Sequence, residues 1–257
     1  MSRPHQMKNR FLPSYLLFSL TFLIVLLFLL LASFHLTQYK SESAEVQNTE
    51  PSSYHVVVID AGHGGEDGGT VGVNGVYEKD LNLKIASNLE QMLGAGGIET
   101  VMTRSEDILL YDKNSNYQGQ KKVQDLANRK KIAEQYENVV FVSIHMNSFP
   151  NPKYSGLQVY YSLNDPRSLA LAQKIQSISK ETLMPDNERK IKPTNGSLYL
   201  LDRLKSPAVL IECGFLSNPN ECARLSSEEY QQQLSLAIAL AIFNYFSLSP
   251  QNHPLGS

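Results

Sequence analysis

The chain has little that would let it work through thiols, nucleic acid or repeated units. Cys213 and Cys222 are its only two cysteines. Their spacing fits no zinc pattern, and one pair makes no disulfide framework. One buried thiol and one surface thiol is the expected arrangement. No block of basic side chains appears in the body of the chain, where 23 Lys and Arg stand against 25 Asp and Glu for a net charge of -2. A nucleic-acid partner therefore has no electrostatic footprint. No internal repeat recurs at solenoid period, which excludes a stacked-repeat architecture. Histidine is scarce too, with six in all: His5, His35, His55, His63, His145 and His253.

What is present begins with a long apolar run. Arg3, Lys8 and Arg10 precede "YLLFSLTFLIVLLFLLLASFHL", Tyr15 to Leu36, close to the ~20 residues a helix needs to cross a bilayer. Positive charge ahead of it keeps residues 1–14 cytoplasmic and sends the rest outward. A cleaved signal peptide is the competing reading. The length of the run and the lack of a good small-residue cleavage site favour a retained anchor over 15–36. Residues 37–53 are polar and aperiodic, as in a flexible tether. A single globular domain is expected over 54–248, with 249–257 as a tail.

Within that domain the periodicity alternates. "HVVVID" is a short apolar run bounded by turn residues, as in a strand covered on both faces. Leu81, Ile85, Leu89 and Met92 recur at helical steps from Glu78 until glycines intervene. "IETVMTR", "NVVFVSIH", "GLQVYYS" and "PAVLIECGF" read as strands, and "GSLYLL" as a further short one. Helices are expected over about 123–136, 166–183 and 227–246. The order implies an α/β fold, a single layered domain with a mostly parallel twisted sheet flanked by helices. Ligands of such sheets sit beyond the carboxyl ends of the strands.

The stretch "VVVIDAGHGGEDGG" (residues 56–69) ends at such an edge. A dinucleotide loop fails there because Asp67 stands where the third glycine should be. A phosphate loop fails because Thr70 replaces the lysine, and Glu66 and Asp67 would repel phosphate. A metal site fits better. His63 and His145 each close an apolar strand, and Glu78 opens the helix that follows the first. Two imidazoles and a carboxylate are a known catalytic zinc set that leaves a position for water. The glycines around His63 would let backbone crowd the metal. Glu212 ends the apolar "PAVLIE" and is placed to act as proton acceptor and donor beside a metal. Asp60 reads as a turn residue or a group orienting an imidazole, not as a ligand. Each residue also has a plain structural explanation alone; their agreement on one sheet edge carries the reading.

The segments "IDAGHGGEDGG", "EKDLNLKIA", "VMTR", "FVSIHMNSF" and "PAVLIECGFLSNPNE", in this order, resemble zinc-dependent N-acetylmuramoyl-L-alanine amidases of the amidase_3 type. The likeness runs from about Val56 to Phe246. It implies one zinc per chain bound by His63, Glu78 and His145, and a catalytic Glu212. It departs from the usual family pattern at Ala61, Met146 and Ser148, none of which is a ligand type. The implied reaction is hydrolysis of the amide between N-acetylmuramic acid and L-alanine of peptidoglycan. Arg189 and Asn147 are candidates for substrate contact, with Arg189 equally readable as part of a solvated basic loop.

A single N-terminal membrane segment, "KVQDLANRKKIAEQ" and "PNPKYSG" look like the germination-specific branch found in spore formers. That branch implies a membrane-anchored enzyme between the forespore membranes, acting on cortex peptidoglycan. It also implies a deacetylase acting in sequence to form muramic-δ-lactam. Control by an extracytoplasmic activator is a further expectation. A zinc peptidase cutting the stem peptide and a tethered wall-binding protein without turnover are the alternatives.

Overall fold

The computed structural model describes residues 26, 27, 30, 56–112 and 120–248. The expected anchor, tether and tail lie almost wholly outside these residues. Leu26, Leu27 and Leu30 are helical and exposed, and among the described residues no helix is long and apolar enough to cross a membrane.

A six-stranded sheet runs β1 (Val56–Ala61), β2 (Thr100–Met102), β3 (Val139–Asn147), β4 (Gln158–Tyr161), β5 (Lys192–Pro193) and β6 (Ala208–Phe215). Its spatial order is β2-β1-β3-β6-β4-β5. β1 pairs parallel with β2 and β3, and β3 parallel with β6; β4 joins β6 antiparallel and carries β5 parallel to itself. The sheet is mostly parallel, as the alternation of strand and helix implied, and the reversal at β4 is the exception.

Alternate residues of each strand face opposite layers. Val57, Ile59, Val140, Val142, Val209 and Ile211 join a core with α1 (Glu78–Ala95), α3 (Arg167–Thr182) and α5 (Glu228–Leu248). Val58, Phe141 and Leu210 pack the other way, against α2 (Lys121–Ala133) and the turn carrying Leu200, Leu201 and Leu204. α1 buries Leu81, Ile85, Leu89 and Leu93, one residue per turn, and α5 meets it through Leu234 and Ile238. The buried Ser235 hydroxyl donates toward Ile85 O at 3.0 Å, tying the two helices where their backbones are close.

Two expectations are corrected, and one unforeseen element appears. "GSLYLL" is a turn, because the Asp202 carboxylate accepts from Leu198 N at 2.8 Å and Leu204 N donates back to Leu200 O. Those local bonds satisfy backbone that a strand would have to pair laterally. A short helix, α4 (Pro219–Leu225), follows β6, its N-terminus capped by the Asn218 side chain. Both cysteines are buried and unpaired, because Cys222 lies on the inner face of α4.

Leu89→Ala removes a fully buried side chain and is expected to cost about 2–5 kcal/mol in denaturant melts. Leu236→Ala, at a site 49% exposed, should stay within about 0.5 kcal/mol. Equal losses from the two would contradict the helix faces described.

Candidate metal and catalytic site

Glu78 begins α1 and points back at the strand ends. Its Oε1 lies 3.2 Å from His63 Nε2 and 3.0 Å from His145 Nδ1. Oε1 also accepts from Met146 N at 3.1 Å, and Oε2 accepts from Thr70 N at 2.8 Å. The two rings stand edge to face, centroids 5.0 Å apart. Donor atoms of His63, Glu78 and His145 all fall within 4.8 Å of one another. The set fits a divalent cation, because two imidazoles and one carboxylate offer donor atoms that converge. On its other side the His63 ring meets Asp67, whose Oδ2 stands 2.9 Å from Nδ1.

Glycines make this convergence possible by a different route from the one expected. A Cβ on Gly62 would lie 2.2 Å from His145 Nε2, and one on Gly69 would lie 2.6 Å from Glu78 Oε2. The missing side chains leave room for the other ligands' own side chains.

The turn itself is gripped from behind. His63 has φ 61, the left-handed region unfavourable to a residue with a Cβ. Arg129 Nη2 donates to His63 O at 2.6 Å, and Nη1 donates to Ala61 O at 2.7 Å. Arg104 adds Nε to Ala61 O at 2.8 Å and Nη2 to Gly62 O at 3.1 Å. Asn82 donates to Gly62 O as well. Arg129, 1% exposed, is itself held by Asp125 Oδ2 and Asp60 Oδ1, each at 2.8 Å. Asp60 therefore does not orient an imidazole. It faces the α2 layer and accepts from Arg129, Thr103 and Ser143.

Arg104 and Arg129 were missed as functional positions, although both lie inside recognisable segments. The signal was there: Arg129 follows Asp125 by one helical turn on the face of α2 that must meet the sheet.

Glu212 lies beside this cluster. The register sets His145 opposite Glu212 and Glu212 opposite Gln158, so three polar side chains share one row and one face of the sheet. Glu212 Oε2 is buried without a partner, although the residue as a whole is only partly buried. Burial pushes the Glu212 carboxyl up to about 7, the His145 charge opposing and the Glu78 charge adding to that effect. For His63, burial disfavours the cation, but Asp67 and Glu78 outweigh it and raise the imidazole to about 9. Burial also works against the Glu78 anion, yet both imidazoles hold it well below the usual carboxylate range.

Arg189 stands one step further along the row. Its Nε donates to Ser155 O and its Nη1 to Gln158 Oε1, both at 2.8 Å, and its guanidinium lies 4.3 Å from the Phe215 ring centroid. Asn147 ends β3, where its carbonyl accepts from Leu216 N; the structure gives its side chain no comparable anchoring. Glu221, absent from the expected set, accepts from Gly156 N and Phe215 N at 2.7 Å and so pins the loop before β4 to the end of β6.

Residues 57–244 match the family described as Amidase_3, N-acetylmuramoyl-L-alanine amidase. The chain is 34% identical over 197 residues to the germination-specific N-acetylmuramoyl-L-alanine amidase of Bacillus subtilis (strain 168), spanning 77% of this chain and 82% of that protein. It is 29% identical over 235 residues to amidase AmiA of Escherichia coli (strain K12), spanning 74% and 76%. Among solved structures, the CwlD amidase of Clostridioides difficile, in complex with the GerS lipoprotein, superposes with TM-score 0.71 and 37% identity over 76% of this chain and 99% of that one. AmiC2 of Nostoc punctiforme gives TM-score 0.65 and 32% identity over 76% and 99%.

Two measurements bear on this geometry. Burial opposes ionisation of Asp60, but Arg129 and Ser143 more than offset it and hold the pKa below its ordinary 3.8. The stabilisation is present above about pH 4 and is lost as pH falls through the folded pKa. Asp60→Asn removes one of the two buried anions that hold Arg129, leaving Asp125, and should cost about 1.5–3 kcal/mol at neutral pH. The gap from the parent should narrow below about pH 4; a pH-independent gap would contradict the pairing. Separately, His63, raised to about 9, is charged at neutral pH and must lose its proton to ligate. Zinc titration at pH 7 should release about one proton from this group, read as a buffer-dependent calorimetric heat, and His63→Ala should abolish that release.

Proposed function

The chain belongs to the N-acetylmuramoyl-L-alanine amidase family, and on that premise we propose that it is a zinc enzyme using His63, Glu78 and His145 as ligands and Glu212 as the proton-transferring group. The chain is a peptidoglycan amidase hydrolase. The observation that carries the residue assignment is the adjacency, in one sheet row, of Glu212 and His145, with His145 sharing the Glu78 carboxylate with His63.

When bound, zinc supplies a Lewis acid for the scissile carbonyl and brings the pKa of a coordinated water toward ~7. The chain's own residues do the rest. Glu78, fixed by two backbone N–H groups, keeps both imidazoles aimed at a common point. Glu212 takes a proton from the attacking water as the carbonyl carbon gains its new C–O bond. It returns that proton to the L-alanine nitrogen as the C–N bond breaks, leaving a lactyl carboxylate on muramic acid and a peptide with a free amine. A carboxyl titrating near neutrality suits both halves of that task. Arg189, held beside Gln158, is the proposed first contact for the peptide beyond the scissile bond.

The same proposal extends to setting. Similarity to a germination-specific amidase supports action on spore-cortex peptidoglycan, ahead of a deacetylase. The lipoprotein-bound C. difficile amidase supports an extracytoplasmic activating partner. The apolar run over 15–36 supports membrane anchoring with the domain outside the cytoplasm.

The test uses full-length protein, zinc and purified peptidoglycan, with released fragments identified by mass spectrometry. The parent should release stem peptides bearing a free L-alanine amine. Glu212→Gln should release them at least about 10²-fold more slowly with zinc content unchanged. Fragments cut within the peptide would make the enzyme a peptidase, and full activity in Glu212→Gln would remove that residue from the chemistry.

A further inference from the structure

Next to Arg189 lies a cleft of about 510 Å³ walled by Lys153, Tyr154, Met184, Asp186, Arg189 and Arg224, among others. We propose that this cleft is the docking subsite for the acidic stem peptide, where Lys153, Arg189 and Arg224 read the free carboxylates that follow L-alanine. The inference rests on the amidase reading of the adjoining site and adds a specificity that this reading does not contain.

Charge gives the first argument. Among the acids lining the cleft, Glu188 is engaged by Lys180 at 2.9 Å, and Glu221 is 1% exposed with both oxygens taken by backbone N–H groups. Asp186 is the remaining carboxylate, against Lys153 and Arg189, because Arg224 faces Glu221. Arg224 is 52% exposed at its side chain, with Glu221 3.9 Å away and the Tyr230 ring beneath it. Neither Lys153 nor Arg189 has an ion-pair partner among the described residues, and Arg189 Nη2 has no hydrogen-bond partner among them. A surplus of cations around a concave surface attracts anionic ligands and penalises neutral ones through unpaired charge.

Continuity with the site gives the second. Arg189 lines the cleft and also donates to Gln158, the side chain next to Glu212 in the sheet row. A peptide leaving Glu212 along that row meets Arg189 first and the cleft next. Rigidity gives the third. Glu221 ties Phe215 to Gly156, Arg189 lies on the Phe215 ring, and Tyr154 sits 6.4 Å from that ring, so the wall nearest Glu212 is fixed before substrate arrives. A volume of this size suits a ligand of a few residues.

The experiment compares full-length, zinc-loaded parent with Lys153→Gln/Arg224→Gln and with Arg224→Lys. Substrates are muropeptides whose stem carboxylates are free or amidated. The parent should favour the free form by about tenfold in kcat/KM, mainly through KM. The double variant should lose that preference, and Arg224→Lys should keep it. A calorimetric arm measures binding of the tripeptide L-alanyl-γ-D-glutamyl-diaminopimelate, expected about tenfold weaker in the double variant and weakened by added salt in the parent. A parent indifferent to amidation, or a double variant with unchanged preference and unchanged tripeptide affinity, overturns the proposal. Should the parent cleave neither substrate, the amidase reading fails, and tripeptide binding still decides whether the cleft is an acidic-peptide site.

Discussion

The ion pair between Asp60 and Arg129 is the contact on which the site depends. It lies beneath the sheet edge, both partners 1% exposed, where losing the Arg129 charge would strand both Asp60 and Asp125. Its effect is directional. With one end fixed by Asp60 and Asp125, the guanidinium presents its remaining N–H groups to Ala61 O and His63 O. Together with Arg104, it sets the path of a turn whose glycines would otherwise leave it loose. The strained backbone at His63 thus becomes a fixed position for an imidazole. The His63 imidazole, one of the proposed ligands, is aimed by two guanidinium groups that act on backbone carbonyls of its turn.

The two layers of the molecule divide the work. The layer containing α1, α3 and α5 supplies most of the buried hydrocarbon. The other layer, with α2, buries the Asp60, Arg129 and Asp125 cluster and carries the polar row of His145, Glu212 and Gln158. Alternation along β3 accounts for this: Ser143 and His145 fall on the α2 side, while Val142 and Ile144 fall on the other. A slip of one residue in β3 or β6 would exchange the faces, so the packing that stabilises the sheet also determines which residues can meet.

Much of this was legible in the sequence because it depends on strong local signals. Apolar runs ending in His63, His145 and Glu212 announced three strand ends. Helical spacing after Glu78 announced α1, and parallel pairing brought all four residues to one edge. What escaped was of two kinds. Arg104 and Arg129 act through distant carbonyls, and spacing along the chain does not say which carbonyl an arginine will reach. The turn at Tyr199–Leu204 has the apolar content of a strand, and Asp202 decides against it by bonding locally. Asp60 acts on the turn, as one of its two readings had it, but through Arg129 and not through an imidazole, because the buried guanidinium donates both to it and to the carbonyls of the turn. The roles of the glycines were inferred from the metal, whereas the His145 and Glu78 side chains occupy the space.

β4 enters the sheet against the grain of its neighbours. Its beginning, not its end, lies at the edge where β3 and β6 finish, so the connection from Asn147 to Gln158 never has to cross the sheet. Ten intervening residues, 148–157, are free to serve as a rim. Insertion or deletion within that rim would alter the depth and breadth of the opening while Glu212 and its neighbours stayed in register. The reversed strand therefore separates two things: side chains held in register by the parallel core, and a connection whose length can change upstream of the point where Glu221 holds Gly156.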